Sequence, residues 1–175
     1  RNNYPCIYID NKSNPTIREC RIFDVKDIGI SIKGNSKGTI ENCDIYNNNS
    51  SGIIIDDASN PTIRECRIFD GKHNGIFVTE NSEGTIENCD IYNNTYSGIT
   101  ISKESNPIIR ECRIFDSKFY YGIWLTNSQC TIDNCDIYRN AYPGIYIVRS
   151  NPTIRKCRIF DGKTTGIFFE ENSQG

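Results

Sequence analysis

One phrase of thirteen residues recurs through the chain almost unchanged. It reads NPTIRECRIFDVK at 14–26, NPTIRECRIFDGK at 60–72, NPIIRECRIFDSK at 106–118 and NPTIRKCRIFDGK at 151–163. A sister phrase stands between the copies: GTIENCDIYNN at 38–48 and 84–94, and CTIDNCDIYRN at 130–140. Aligned, the two phrases give a unit of 23 residues, a period typical of repeat architectures. Seven cysteines mark it: Cys20, Cys43, Cys66, Cys89, Cys112, Cys135 and Cys157.

Each unit holds three short strand-like runs separated by turn residues. In residues 60–82 the runs are Thr62-Ile63, Arg67–Phe69 and Gly75–Val78, and Asp70–Asn74 and Glu80–Ser82 supply turns. No stretch keeps a helical period over ten residues. Three strands and three turns, stacked unit on unit, define a parallel β-helix. The fold class is all-β: a solenoid of about seven rungs of 22–24 residues, with three short strands each, about 34 Å tall.

Alternation along the strands predicts which residues fill the tube. Inward columns are Ile17 and its equivalents, Ile22 and its equivalents, and the paired apolar residues from Ile30/Ile32 to Ile167/Phe169. Strict alternation would also bury Glu19, and an unpaired buried carboxylate is too costly. The chain must therefore turn a corner at Arg18–Glu19 and send Cys20 inward. A glycine column (Gly29, Gly52, Gly75, Gly98, Gly122, Gly144, Gly166) precedes the apolar strand and is expected to mark a backbone conformation that a Cβ would disturb.

Stacking also explains why the two phrases swap charges. Equivalent residues of adjacent rungs lie about 4.8 Å apart, where like charges repel. One column reads Arg18, Glu41, Arg64, Glu87, Arg110, Asp133, Arg155; another reads Arg21, Asp44, Arg67, Asp90, Arg113, Asp136, Arg158. A slip of one rung would put Arg on Arg. The full repeat is thus 46 residues, two rungs of opposite charge.

Composition narrows the remaining possibilities. A net charge of -2 leaves no overall electrostatic footprint for nucleic acid or an anionic membrane, and no apolar run is long enough for a membrane span. Nine cysteines cannot all pair within one chain. Side chains in one column point in parallel, which holds their Cβ atoms too far apart for good disulfide geometry. The ladder therefore reads as small buried thiols. Free thiols tilt the compartment toward a reducing one, the cytoplasm. The sequence contains no Cys-x-x-Cys pair and a single histidine, His73, in a turn, so no metal site or cofactor is expected.

The motif x-x-Ile-x-x-Cys-x-Ile followed by Gly-Ile-x-Ile resembles the right-handed parallel β-helix repeats of the pectin-lyase-like superfamily, across the whole chain. Within that superfamily, SNPTIR and GTIENxxIYNN are most similar to the carbohydrate-binding and sugar-hydrolase (CASH) repeats, also found in F-box ubiquitin-ligase adaptors. The resemblance implies a right-handed coil; it specifies fold far more than function.

Sugar-cleaving relatives would need clustered carboxylates on one outer face. Asp56, Asp57 and Glu80 come nearest, but their columns share no common chemistry, and no recognisable catalytic motif is present. No catalytic residue is assigned. Aromatic residues offer more. One regular outward column runs Phe23, Tyr46, Phe69, Tyr92, Phe115, Tyr138, Phe160; an irregular row includes Phe77, Trp124 and Tyr146. The longer turn Asp116–Tyr121 adds Phe119, Tyr120 and Tyr121 beside Trp124. Those six, Trp124, Phe119, Tyr120, Tyr121, Phe77 and Tyr146, are the candidate ligand-binding residues, for a protein partner or a glycan.

The chain starts at Arg1-Asn2-Asn3 in mid-rung and stops at Gln174-Gly175, where another TIENC would follow. Residues 1–175 read as a single β-helix domain, part of a longer array or a unit capable of end-to-end self-association. The leading expectation is a non-catalytic scaffold or binding module. The alternatives are a self-assembling fibre subunit and a polysaccharide lyase or hydrolase.

Overall fold

The computed structural model describes residues 4–173. Arg1–Asn3 and Gln174–Gly175, the ends considered above, lie outside the described residues. The strands cycle in threes, from β1 (Ile7–Ile9), β2 (Thr16–Arg18) and β3 (Arg21–Phe23) to β20 (Thr153–Arg155), β21 (Arg158–Phe160) and β22 (Ile167–Glu170). They form three parallel sheets of eight, seven and seven strands, each joining every third strand in chain order. This is an all-β parallel solenoid of about seven rungs.

Register follows the 23-residue unit. Arg64 pairs with Glu41 on one side and Glu87 on the other, and Ile63 pairs with Ile40 and Ile86. The ion pairs of the two charge ladders have a consistent direction that the sequence did not suggest. Arg64 reaches Glu41 at 3.1 Å and Arg155 reaches Asp133 at 3.0 Å, and Arg110 binds Glu87; in each pair the acid belongs to the preceding rung. Arg67 grips Asp44 with two bonds, Nε to Oδ1 at 2.6 Å and Nη2 to Oδ2 at 2.5 Å. Arg21 has no preceding acidic strand beside it and donates instead to the Tyr46 hydroxyl at 2.6 Å. These exposed pairs contribute little stability each, about 0.2–1 kcal/mol, and act mainly on register.

Interior isoleucines carry most of the energy. Ile40, Ile63, Ile86, Ile109 and Ile132 form one buried column, and the other two inward columns are buried alike through the middle of the coil. Each fully buried isoleucine contributes about 1.5–3 kcal/mol. Phe169 lies in register with buried Ile147, on the inward side as expected, yet it is 45% exposed because β22 is the last strand of its sheet among the described residues.

The corner predicted at Arg18–Glu19 exists in every rung and has one geometry. Glu19, Asn42, Glu65, Asn88, Glu111, Asn134 and Lys156 all adopt the left-handed conformation, with φ between 50 and 56°. A single such residue reverses which face the next side chain meets, so Cys20 and its equivalents turn inward. The carbonyl before the corner is used twice. Glu41 O accepts from Glu19 N at 3.0 Å and from the Cys43 thiol at 3.2 Å.

The glycine column has a different cause from the one expected. The column glycines do not take left-handed φ values; Gly34, Gly38 and Gly84, elsewhere in the rung, do. They are required for space. A Cβ on Gly75 would lie 2.5 Å from Ile91 Cγ2 and 2.6 Å from the carbonyl oxygen of Gly98.

Two polar ladders inside the turns satisfy backbone groups that the sheets leave free. Ser36 Oγ accepts from Ser13 N at 3.2 Å, Ser59 Oγ from Ser36 N at 3.1 Å, and the pattern repeats to Ser150 and Ser173. On alternate rungs Asn94 and Asn140 accept from the backbone N–H of Gly71 and Ser117 and donate to the carbonyls of Ile68 and Ile114.

Two substitutions test these causes. Gly75→Ala should destabilise the protein by about 1–3 kcal/mol in urea denaturation. Gly162→Ala, whose Cβ would meet nothing nearer than 3.7 Å, should be near neutral. Glu65→Asn, which suits the left-handed corner better, should stabilise by about 0.5–1 kcal/mol.

Candidate functional site

Two columns of rings run along the outside of the coil, and their geometry decides what each can bind. The regular column, Phe23 to Phe160, is a continuous stack. Its rings are 4.8–5.1 Å apart and within 11° of parallel. A ring stacked on both sides presents only its edge to solvent. This column is therefore a stabilising ladder, with free faces only at Phe23 and Phe160.

A second column borders the glycine strand. His73 stacks on Tyr96 at 4.2 Å, and Tyr96 stacks on Tyr120 at 4.7 Å. The regular order breaks in the next turn. Gly98 and Gly122 are 24 residues apart, one more than the period, and the extra residue lies in the turn that carries Phe119. Tyr121 leaves the column and stacks on Tyr146 at 4.4 Å, with Tyr142 edge-on at 5.9 Å, Tyr120 edge-on at 6.1 Å and Trp124 tilted at 6.0 Å. Phe119, Tyr120, Tyr121 and Tyr142 line a shallow recess of 420 Å³. Phe119 is 64% exposed and Tyr142 is 52% exposed.

Five of the six candidate residues thus come together: Phe119, Tyr120, Tyr121, Trp124 and Tyr146. Phe77 does not join them. Its strand partners are Ile54 and Thr100, and Thr100 stands between it and Trp124. Tyr142, Tyr96 and His73 belong to the same face and were missed. Their signal was present, because each occupies the turn position equivalent to Tyr120 one or more rungs away.

Electrostatics within the recess are mild. The Tyr146 hydroxyl donates to the Glu170 carboxylate, whose bond and negative charge, with some burial, hold the phenol up to about 12. Burial raises Tyr121 as well. The Trp124 indole N–H is buried and has no hydrogen-bond partner among the described residues.

The other titratable candidates serve local structure. Asp56 Oδ1 accepts from the N–H of Asp57 at 2.7 Å, and Glu80 pairs with Lys103. His73 Nδ1 lies 3.2 Å from Asn74 Nδ2 and 3.4 Å from Ser51 Oγ. The Asn74 carboxamide is oriented by its oxygen, which accepts from Ser97 N and Thr100 Oγ1, so its nitrogen donates and His73 Nδ1 accepts. Burial lowers the His73 pKa. Among the described residues no group of three His, Cys, Asp or Glu could hold a metal ion.

All nine cysteines are free, and Cys43 through Cys135 of the ladder are buried. Each ladder thiol lies 3.2–3.3 Å from the carbonyl two residues before it. Neighbouring thiols and burial hold Cys66 and Cys112 above the ordinary cysteine value. Burial, with the neighbouring Cys135 thiol, does the same for Cys130, which fills the proline–glycine column.

With this geometry the class is clear, a right-handed parallel β-helix. The family model for the right handed beta helix region matches residues 1–85 and 72–175, and the chain belongs to that family. No curated protein matches it by sequence. Among solved structures it is similar to a mutant of the periplasmic alginate epimerase AlgG, with TM-score 0.77 and 17% identity over 85% of this chain and 38% of that one. Pectate lyase Pel9A gives 0.64 and 10% over 88% and 49%. The A-module of the mannuronan C-5 epimerase AlgE6 from Azotobacter vinelandii gives 0.63 and 15% over 91% and 60%. At such identities the likeness is one of fold, and the chain spans 38% to 60% of these proteins' lengths.

Thiol reactivity follows from these surroundings. Iodoacetamide at pH 8 should modify exposed Cys6 first and leave Cys66, Cys89 and Cys112 unreacted until denaturant is added, as read by peptide mass spectrometry. The lowered His73 pKa has a sign as well. The unfolded state binds the proton more readily, so this contribution to stability is present above the unfolded pKa near 6.5 and is lost as pH falls below it. His73→Gln should flatten the pH dependence of the denaturation midpoint in that acidic window.

Proposed function

We propose that the chain is a non-catalytic β-helix module that binds a carbohydrate chain at the recess beside the elongated turn. The observation that carries the proposal is the set of ring faces left free there. Phe119 and Tyr142 are exposed side by side in one recess, while the rings of the regular column from Tyr46 to Tyr138 are stacked on both faces. Sugar rings present apolar C–H faces that stack on such surfaces, and their hydroxyls suit the phenol groups of Tyr120, Tyr121 and Tyr142. The CASH-like character of the repeat agrees with a carbohydrate ligand.

A catalytic role is the second proposal, favoured by the structural neighbours, whose names describe epimerases and a lyase of polysaccharides. Asp56, Asp57 and Glu80 give it little support, because none lies beside the recess lining and two of them are engaged locally.

Isothermal titration with a panel of oligosaccharides tests the binding proposal. Phe119→Ala and Tyr142→Ala should each weaken glycan affinity about tenfold, or about 1.4 kcal/mol, while leaving the denaturation midpoint unchanged. Glycan binding unaffected by both changes would refute it, and glycan turnover by the unmodified protein would establish the catalytic alternative.

A further inference from the structure

The turn that builds the recess also carries a column of lysines. Backbone bonds set it out: Lys72 N to Asn48 O, Thr95 N to Gly71 O, Lys118 N to Asn94 O, and Ala141 N to Ser117 O, at 2.9, 2.9, 2.9 and 3.1 Å. Lys163 continues it, with Asn140 O as acceptor. Lysine therefore recurs on every second rung, with the small residues Thr95 and Ala141 between. Rungs rise about 4.8 Å, so the ammonium groups repeat at about 9.6 Å along the coil axis. The column lies directly beside the rings of His73, Tyr96, Tyr120 and Tyr142.

These lysines are exposed, and among the described residues none of them makes an ion pair. The arginines of the two charge ladders from Arg64 onward, by contrast, all hold an acid. The acids nearest Lys72 and Lys118 in sequence are turned to other partners. Asp70 accepts from Asn93, and Asp116 takes both bonds of Arg139 at 2.9 and 2.7 Å. A row of unpaired cations with a fixed repeat, next to free ring faces, has a complementary ligand.

We infer that this face binds a linear acidic polysaccharide lying parallel to the coil axis, with one anionic group on every second sugar. An extended pyranose advances by nearly one rung, so alternate sugars meet alternate rungs. A carboxylate on each second sugar then meets Lys72, Lys118 and Lys163 in turn, while the intervening sugars pass Thr95 and Ala141 and reach the recess. A polymer charged on every sugar would set half its carboxylates against positions without a cation. The inference rests on the carbohydrate-binding proposal and adds the ligand's charge and repeat.

Titration of the full chain with four probes tests it: a hyaluronan octasaccharide (one carboxylate per disaccharide), a galacturonate octamer (one per sugar), a neutral cello-oligosaccharide and a single-stranded oligonucleotide. The hyaluronan octasaccharide should bind at least tenfold more tightly than each of the others, and its affinity should fall as salt rises. The double change Lys72→Gln with Lys118→Gln should remove at least tenfold of that affinity. Lys37→Gln with Lys156→Gln, an equal loss of charge elsewhere on the coil, should not. Equal or tighter binding of the galacturonate octamer or the oligonucleotide would overturn the inference. So would glycan binding that depends on Phe119 and Tyr142 but not on the lysines, and in that case the carbohydrate-binding proposal survives. Failure of every glycan to bind would overturn both.

Discussion

Rung sits on rung in this protein with the same position above itself about every 23 residues, and everything else is a consequence of that vertical register. Each position is tested against its own copies at about 4.8 Å. Isoleucine passes the test inside, because branched apolar side chains nest on one another. Glycine passes where a Cβ would strike Ile91 Cγ2 and its equivalents. Aromatic rings pass by stacking. A single sign of charge fails, and alternation of Arg with Glu or Asp is the answer in two columns. Serine and asparagine pass because each donates or accepts across one rung.

Much of this was legible in the sequence, and the reasons for the rest are physical. Period, charge alternation and the inward columns follow from spacing alone. The corner at Glu19 was recoverable because burying a carboxylate is forbidden there, and the observed φ of 55° is the backbone's way of avoiding it. The glycine column was assigned the wrong cause, since spacing cannot distinguish a torsional need from a steric one. Phe169 points as alternation predicts, but alternation sets the direction of a side chain and not whether a further strand covers it. The serine ladder repeats as regularly as the cysteines yet carries no hydrophobic or charge signal to make it stand out.

At the candidate site the limits were different. Phe119, Tyr120, Tyr121, Trp124 and Tyr146 were drawn together by the length of one turn. Phe77 was not distinguishable from them without knowing that Thr100 occupies the rung between. Tyr142 lies only one rung on, but it was hidden by a compensating shortening of the chain after Gly122. Which rings keep a free face depends on stacking angles, and no sequence pattern encodes those. The regular ring column is committed to itself and the ladder arginines to their acids, and the second ring column is interrupted at one elongated turn. That interruption, and the lysine column running through it, are the grounds for the proposed binding face.

The most direct test of vertical register is a distance along the axis. Thr16 and Thr153 occupy the same position on rungs six apart and are both exposed, so spin labels attached there by chemistry that spares the native thiols report the summed rise. Pulsed dipolar spectroscopy should give one narrow distribution near 29 Å, six rises of about 4.8 Å. A broad distribution, or a mean displaced by a whole rung or more, would contradict in-register stacking and with it the account of both the core and the binding face.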